Sequence, residues 1–179
     1  MVLRPFTEVD LEPFAALNAH PLVVETLGAA LTRPESDALA EMATAELASE
    51  GWGYWAVQVQ RGAPFAGMVG LHRIGADHPA GPAVEVGWRL DPAHWGHGYA
   101  TEGAAAALRH GFTVGGLREI SAFTATFNLR SQAVMHRIGM VRDTSADFEH
   151  PALAEGDPLR PHVLYRARPE DGHAVTTGA

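Results

Sequence analysis

The residues best placed to do chemistry lie in DPAHWGHGYATE at positions 91–102, where a β-type run gives way to a glycine-containing turn that opens a helix. Such a turn leaves successive backbone N–H groups without acceptors at the positive end of the helix dipole, and together they make a site for an anion. Glycine at 98 lets a diphosphate approach the main chain with no Cβ in its way. Other readings of the same residues stay open. One is a strand-to-helix turn with no ligand. Another is a dinucleotide fold, since Gly96-x-Gly98 supplies two thirds of G-x-G-x-x-G. Against it, Thr101 stands at the third position, and the motif follows about 90 residues of other structure instead of closing a first βαβ unit. A third takes His94, His97 and His110 as metal ligands. No carboxylate pattern completes that ligand set, and His97 falls where the amides should meet phosphate, so no metal is expected.

The run just before this turn, AVEVGWRL at 83–90, alternates strictly. Val84, Val86, Trp88 and Leu90 take one face of a strand, and Glu85, Gly87 and Arg89 take the other. A carboxylate in mid-strand is either a functional group or a solvated side chain or arginine partner. Trp52, Tyr54 and Trp55 start another strand, where aromatic residues either line an acceptor pocket or fill the core.

Composition removes several chemistries. All 13 basic residues are arginine, so a Schiff-base lysine, a P-loop lysine and a Ser-Lys dyad are excluded. The absence of cysteine excludes disulfides, thiolate nucleophiles and thiolate metal sites. With 21 acidic residues the net charge is −8, which repels a phosphate-rich polymer, and nucleic acid is not expected as a partner. No apolar run approaches the ~20 residues of a membrane span, and the start MVLRP lacks a secretory apolar stretch. No membrane association and a cytoplasmic address are therefore expected.

The surrounding pattern predicts the elements that hold these residues. A strand at 2–6 precedes a helix opened by Thr7-x-x-Asp10 and running to about residue 20. A second helix starts at Thr32-x-x-Glu35, with Pro34 in its first turn, and stops at Gly51. Strands at 54–60 and 65–74 flank the hairpin-type residues 61–64, and the strand at 83–90 follows. A helix from Gly98 through Phe112 carries small alanines suited to close packing on a sheet. A strand at 119–127, a short helix at 129–138 ended by Gly139, and a strand at 163–168 complete the order. Residues 143–162 read as a substrate loop and 169–179 as a flexible tail, leaving one domain at 1–168. The sum is an α/β (α+β) chain with a mixed sheet and helices on its faces.

Taken in order, LRPF at 3–6, MVGLHRI at 68–74, VEVGWRLDP at 84–92 running into WGHGYATE, and Asn128-Leu-Arg-Ser131 followed by His136-Arg-Ile-Gly139-Met140 resemble the GNAT N-acetyltransferase superfamily. The likeness is to the branch of ribosomal-protein N-terminal (alanine/serine) acetyltransferases in particular, and it spans almost the whole chain. It implies a mostly antiparallel central sheet with helices on both faces. The family's pyrophosphate loop, Q/R-x-x-G-x-G/A, maps onto Trp95, Gly96, His97, Gly98, Tyr99 and Ala100, with Trp95 departing from the general pattern. By the same resemblance, backbone groups of Trp88, Arg89 and Leu90 pair with the pantetheine arm of acetyl-CoA, Asn128 makes a polar contact to the coenzyme, and Ser131 lies near its sulfur. Homodimers are common in this branch, and the sequence neither supports nor denies one here.

Acyl transfer from a thioester to an amine needs a neutral amine, a site for the developing oxyanion and a proton for the departing thiolate. The resemblance makes Glu85 the base, acting directly or through water, and a backbone N–H near Trp88–Leu90 the oxyanion donor if the strand is splayed from its neighbour. The position where many relatives carry a proton-donating tyrosine is Met135, so Ser131 or solvent is left to protonate the thiolate. Ser131 also reads as a helix-start serine bonded to backbone. The expected activity is direct acetyl transfer to a primary amine, a peptide N-terminus or a small-molecule amine. The rival is a non-catalytic acyl-CoA-binding module that needs neither Glu85 nor Ser131.

Overall fold

The computed structural model describes residues 1–171, and the expected tail therefore lies, from 172 on, outside the described residues. Strands β1 (Val2–Arg4), β2 (Tyr54–Gln58), β3 (Gly67–Ile74), β4 (Ala83–Leu90), β5 (Ile120–Ala125), β6 (Val141–Arg142), β7 (Phe148–Glu149) and β8 (Pro161–Ala167) form one sheet. Its order is β1-β2-β3-β4-β5-β8-β6, with β7 also on β8. Every pairing is antiparallel except that of β4 with β5. The expected mixed, mostly antiparallel sheet with helices on both faces is what the chain forms.

Helices α1 (Leu11–Asn18), α2 (Pro21–Leu27) and α3 (Arg33–Glu50) cover one face, and α4 (Tyr99–Thr113) and α5 (Leu129–Arg137) cover the other. Phe14, Leu17, Ala40 and Ala43 pack on Tyr54, Ala56 and Met68 of the first face. On the second, Ala104, Ala107 and Leu108 pack on Val69, Leu71 and Val86. The alanines let α4 come close: a Cβ on Gly103 would stand 3.1 Å from the Val69 side chain. Among the described residues no helix is long and apolar enough to cross a membrane.

Several boundaries differ from the sequence expectation, among them β2, which stops at Gln58, and β5, which is confined to Ile120–Ala125. Strand β1 ends at Arg4, because Pro5 has no N–H to continue the ladder. The first helix stops at Asn18 and an unanticipated α2 follows, started by Pro21 at its first turn and by His20, whose Nδ1 accepts the Leu22 N–H at 3.2 Å. Strand β3 begins at Gly67, where φ is +131°, and Phe65 turns away to meet Phe6 and Phe14. Residues 143–162, read as a substrate loop, are tied to β8 through β7, and β8 itself begins at Pro161.

Candidate active site

Strand β4 pairs with β3 along all eight residues, from Gly67↔Leu90 to Ile74↔Ala83, but meets β5 only at Glu85↔Ser121. Beyond Glu85 the two strands diverge, so main-chain groups of β4 from Val86 toward Leu90 face an opening on the β5 side. That opening is part of a cleft of about 1320 Å³. Glu85, Trp88, Arg89, Leu90, Trp95, Gly96, Gly98, Tyr99, Ala100, Asn128 and Ser131 all line it; His97 does not. No residue of 143–162 lines it, but the segment borders it: Leu153 and Leu159 stand beside Gly28, next to cleft-lining Thr26 and Leu27, and Phe148 packs on cleft-lining Phe123.

At the head of α4 the main chain is as the turn requires. Gly96 and Gly98 have φ of +78° and +82°, and Gly98 caps the helix. The Glu102 N–H is the first to donate within the helix, to the Gly98 carbonyl at 2.9 Å, so the amides just before it have no acceptor among the described residues. A Cβ at either glycine would meet no protein atom within 4 Å, leaving the approach to those amides open. The Trp95 indole N–H donates to the Leu90 carbonyl at 2.8 Å and locks the turn to the end of β4, and the Arg130 guanidinium lies 4.6 Å above the Trp95 ring. The His97 ring folds out of the cleft onto Tyr99, 5.7 Å between centroids, and bonds the Trp95 carbonyl.

On the face of β4 that α1, α2 and α3 cover, Glu85 is partly buried and receives the Tyr54 hydroxyl at 3.2 Å. Two glycines make this contact possible. Gly70 and Gly87 lie in the row that starts at Tyr54, and a Cβ on Gly87 would stand 2.5 Å from the phenol oxygen. Directly across from Glu85 on β3 is His72, whose Nδ1 is 2.8 Å from Glu46 Oε1 on α3. Burial pushes the Glu85 carboxyl above its usual range; the His72 charge and the Tyr54 hydrogen bond work against that, and the Glu46 charge adds to it. Burial likewise pushes the Tyr54 phenol well up, with Glu85 adding and Arg89 opposing. Trp52 is buried in the core, and Trp55 packs edge-on against His110, so of the three aromatic residues Tyr54 alone lines the cleft.

At the other wall, Asn128 caps α5. Its Oδ1 accepts the Ser131 N–H at 3.2 Å, and its amide group donates to Thr124 Oγ1 at 2.9 Å and to Ser131 Oγ at 3.1 Å. Since Ser131 Oγ accepts from Asn128, its own hydrogen stays free to donate into the cleft. Met135 is buried and supplies no proton, and His136 is turned to Tyr165, 3.2 Å from the phenol oxygen. No group of three or more potential metal ligands occurs among the described residues.

Sequence reasoning did not reach Tyr54 as a partner of Glu85, nor His72, Glu46, Asn18 and Arg130. The register placing His72 against Glu85 joins two strands whose alternation is legible but whose alignment is not.

A family model described as an acetyltransferase (GNAT) domain matches residues 1–141. An uncharacterized N-acetyltransferase, YoaA, of Bacillus subtilis (strain 168) is 26% identical over 145 residues, 80% of this chain and 80% of that one. Solved structures share the fold, two acetyltransferases among them. Spermidine N-acetyltransferase from Vibrio cholerae, in complex with CoA and spermine, superimposes with a TM-score of 0.72 at 19% identity, covering 95% of this chain and 96% of that one. The ribosomal L7/L12 alpha-N-protein acetyltransferase RimL, in complex with coenzyme A, gives 0.73 at 18%, covering 93% and 92%.

Proposed function

The chain belongs to the GNAT acetyltransferase family, and from that premise we propose that its cleft takes acetyl-CoA and passes the acetyl group directly to a primary amine, with Glu85 as general base. The observation that carries this reading is the continuity of the cleft: the unpaired edge of β4 runs into the acceptor-free amides before Glu102. The amides of Gly96 through Ala100 hold the diphosphate, and the free edge at Trp88–Leu90 meets the pantetheine arm, with the Leu90 carbonyl already given to Trp95. Bound acetyl-CoA supplies an activated acetyl group. The chain's own residues do the rest. Glu85 takes a proton from the amine, directly or through water, and a peptide α-amine with a reference pKa of about 7.7–8.0 asks little of a carboxylate lifted by burial. Ser131, held by Asn128, turns its hydrogen toward the leaving sulfur, and solvent completes that proton transfer. Zero cysteine excludes a covalent acetyl-cysteine route. The RimL likeness supports a peptide N-terminus as acceptor, and the −8 charge favours a cationic amine approaching from solvent.

The test joins binding to turnover. Calorimetry should show coenzyme A binding to the wild type, and Glu85→Gln should keep that affinity while thiol release with an amine acceptor falls about 100-fold or more. No heat with coenzyme A removes the donor site. Equal activity of the variant at every pH removes Glu85 from the mechanism.

A further inference from the structure

Among the described residues, Arg89 is a cation without a counter-charge inside the cleft. It shares the face of β4 that carries Glu85 and Gly87, and it lines the cleft beside Val23 and Thr26 of α2. Among the described residues its guanidinium makes a single hydrogen bond, from an Nη to the Asn18 Oδ1, a neutral acceptor. Its Nε is sealed from solvent and has no hydrogen-bond partner among the described residues. Asn18 cannot turn to give more, because it is buried and its amide group donates to Ser36 Oγ at 2.7 Å. Seven arginines pair with carboxylates: Arg4, Arg33, Arg73, Arg142, Arg160, Arg166 and Arg168. The others outside such pairs, Arg61, Arg109, Arg118, Arg130 and Arg137, are exposed to water. A guanidinium partly withdrawn from water, with its Nε sealed and no anion beside it, costs stability, and arginine does not escape that cost by losing its proton. The donor's phosphates do not answer for it: their amides lie at the head of α4, which packs on the opposite face of the sheet.

We infer that Arg89 receives a carboxylate of the acceptor, so that the amine acetylated in this cleft belongs to a molecule that also carries a carboxylate. A free amino acid and a peptide with an acidic residue at its amino end both have that chemistry. The inference rests on the acetyltransferase reading of the cleft and narrows its acceptor. A polyamine fits poorly, because a second ammonium would lie against the guanidinium. At about 3.3 Å per residue, the Cα atoms of Glu85 and Arg89 are roughly 13 Å apart, and side chains reaching in from both ends leave room for several bonds between amine and carboxylate.

The experiment uses matched acceptors that differ only by carboxylate against carboxamide: an α-amino acid, an ω-amino acid, and short peptides beginning with aspartate or glutamate, with spermidine alongside. Wild-type kcat/KM should favour the acid form of at least one pair by about 10- to 100-fold, chiefly through KM. Calorimetric binding of that pair in the presence of coenzyme A should show the same ratio. Arg89→Gln should bring the ratio toward one, and Arg89→Lys should restore part of it. Which pair shows the preference separates amino acid from peptide. Equal use of acid and amide forms by the wild type, or better use of spermidine than of any acid, overturns the inference. So does an Arg89→Gln variant that loses both forms alike, or whose loss lies in coenzyme A affinity. Thiol release with amines of either kind leaves the acetyltransferase reading standing in each of those cases, whereas its failure shows as no coenzyme A binding and no thiol release with any acceptor.

Discussion

A base that must be deprotonated to work, yet sits where burial favours its neutral form, is controlled by its neighbours. Glu85 has two of opposite sign. His72 faces it across β3 and lowers its pKa, while Glu46, bonded to His72, raises it. The acid limb of the kcat/KM profile should therefore lie above the usual carboxylate range of about 4.3. Replacing the imidazole in His72→Asn should move that limb to higher pH, and removing the anion in Glu46→Gln should move it to lower pH. Profiles recorded from pH 5 to 9 decide this: shifts of the same sign, or none, would show that another group sets the limb. These partners were invisible in the sequence for a concrete reason. Glu85 and Arg89 were legible as one strand face, but Tyr54, His72 and Asn18 reach them from β2, β3 and α1, between 13 and 71 positions away along the chain in a register that no local pattern states.

At the scale of elements the local signals were strong where chemistry is local. The Thr32-x-x-Glu35 box with Pro34 starts α3, Gly51 ends it at φ +74°, and the strict alternation at 83–90 matches β4 residue for residue. Helix α2 was missed because its cap is a histidine, which is outside the Ser/Thr/Asp/Asn signature, and because seven residues give little periodicity. The parting of β4 from β5, on which the cleft depends, leaves no trace in either strand's own sequence. Two glycines in these elements make separable predictions. Gly98→Ala forces a side chain into φ +82° at about 1–2 kcal/mol, with no clash inside the protein, but its methyl stands over the open amides. Coenzyme A affinity should fall by more than that strain explains, at least 10-fold, with a loss of only a few degrees in melting temperature. Gly87→Ala drives the Tyr54 phenol off Glu85 while leaving the turn intact, so kcat should fall and coenzyme A affinity should hold. Calorimetry beside thiol-release kinetics separates the two variants; equal effects on binding would mean that Gly98 is only a turn residue.

The whole molecule hangs its first helix on one buried carboxylate. Asp10 is 1% exposed and takes both terminal nitrogens of Arg4, at 2.6 and 2.7 Å, together with the Thr7 N–H and hydroxyl, each at 2.8 Å. This cluster joins the end of β1 to the turn that starts α1, and through Asn18 at the other end of α1 it bears on the position of Arg89. Burial alone would raise the Asp10 pKa, but the hydrogen bonds from Arg4 and Thr7 and the Arg4 charge outweigh it and hold the carboxyl below the usual aspartate value. The unfolded chain then takes up the proton first. The cluster's contribution is complete above the ordinary aspartate pKa of about 3.9 and is lost as pH falls through the lower folded value. Asp10→Asn leaves Arg4 without its anion and should cost about 2–3 kcal/mol at pH 7, a fall of roughly 5–12 °C in melting temperature for a chain of this size. On acidification the wild type loses what the variant has already lost, so their melting curves should converge below about pH 4. A gap that stays constant down to pH 3 would mean that Asp10 acts as a neutral hydrogen-bond acceptor and that its charge does not hold β1 and α1 together.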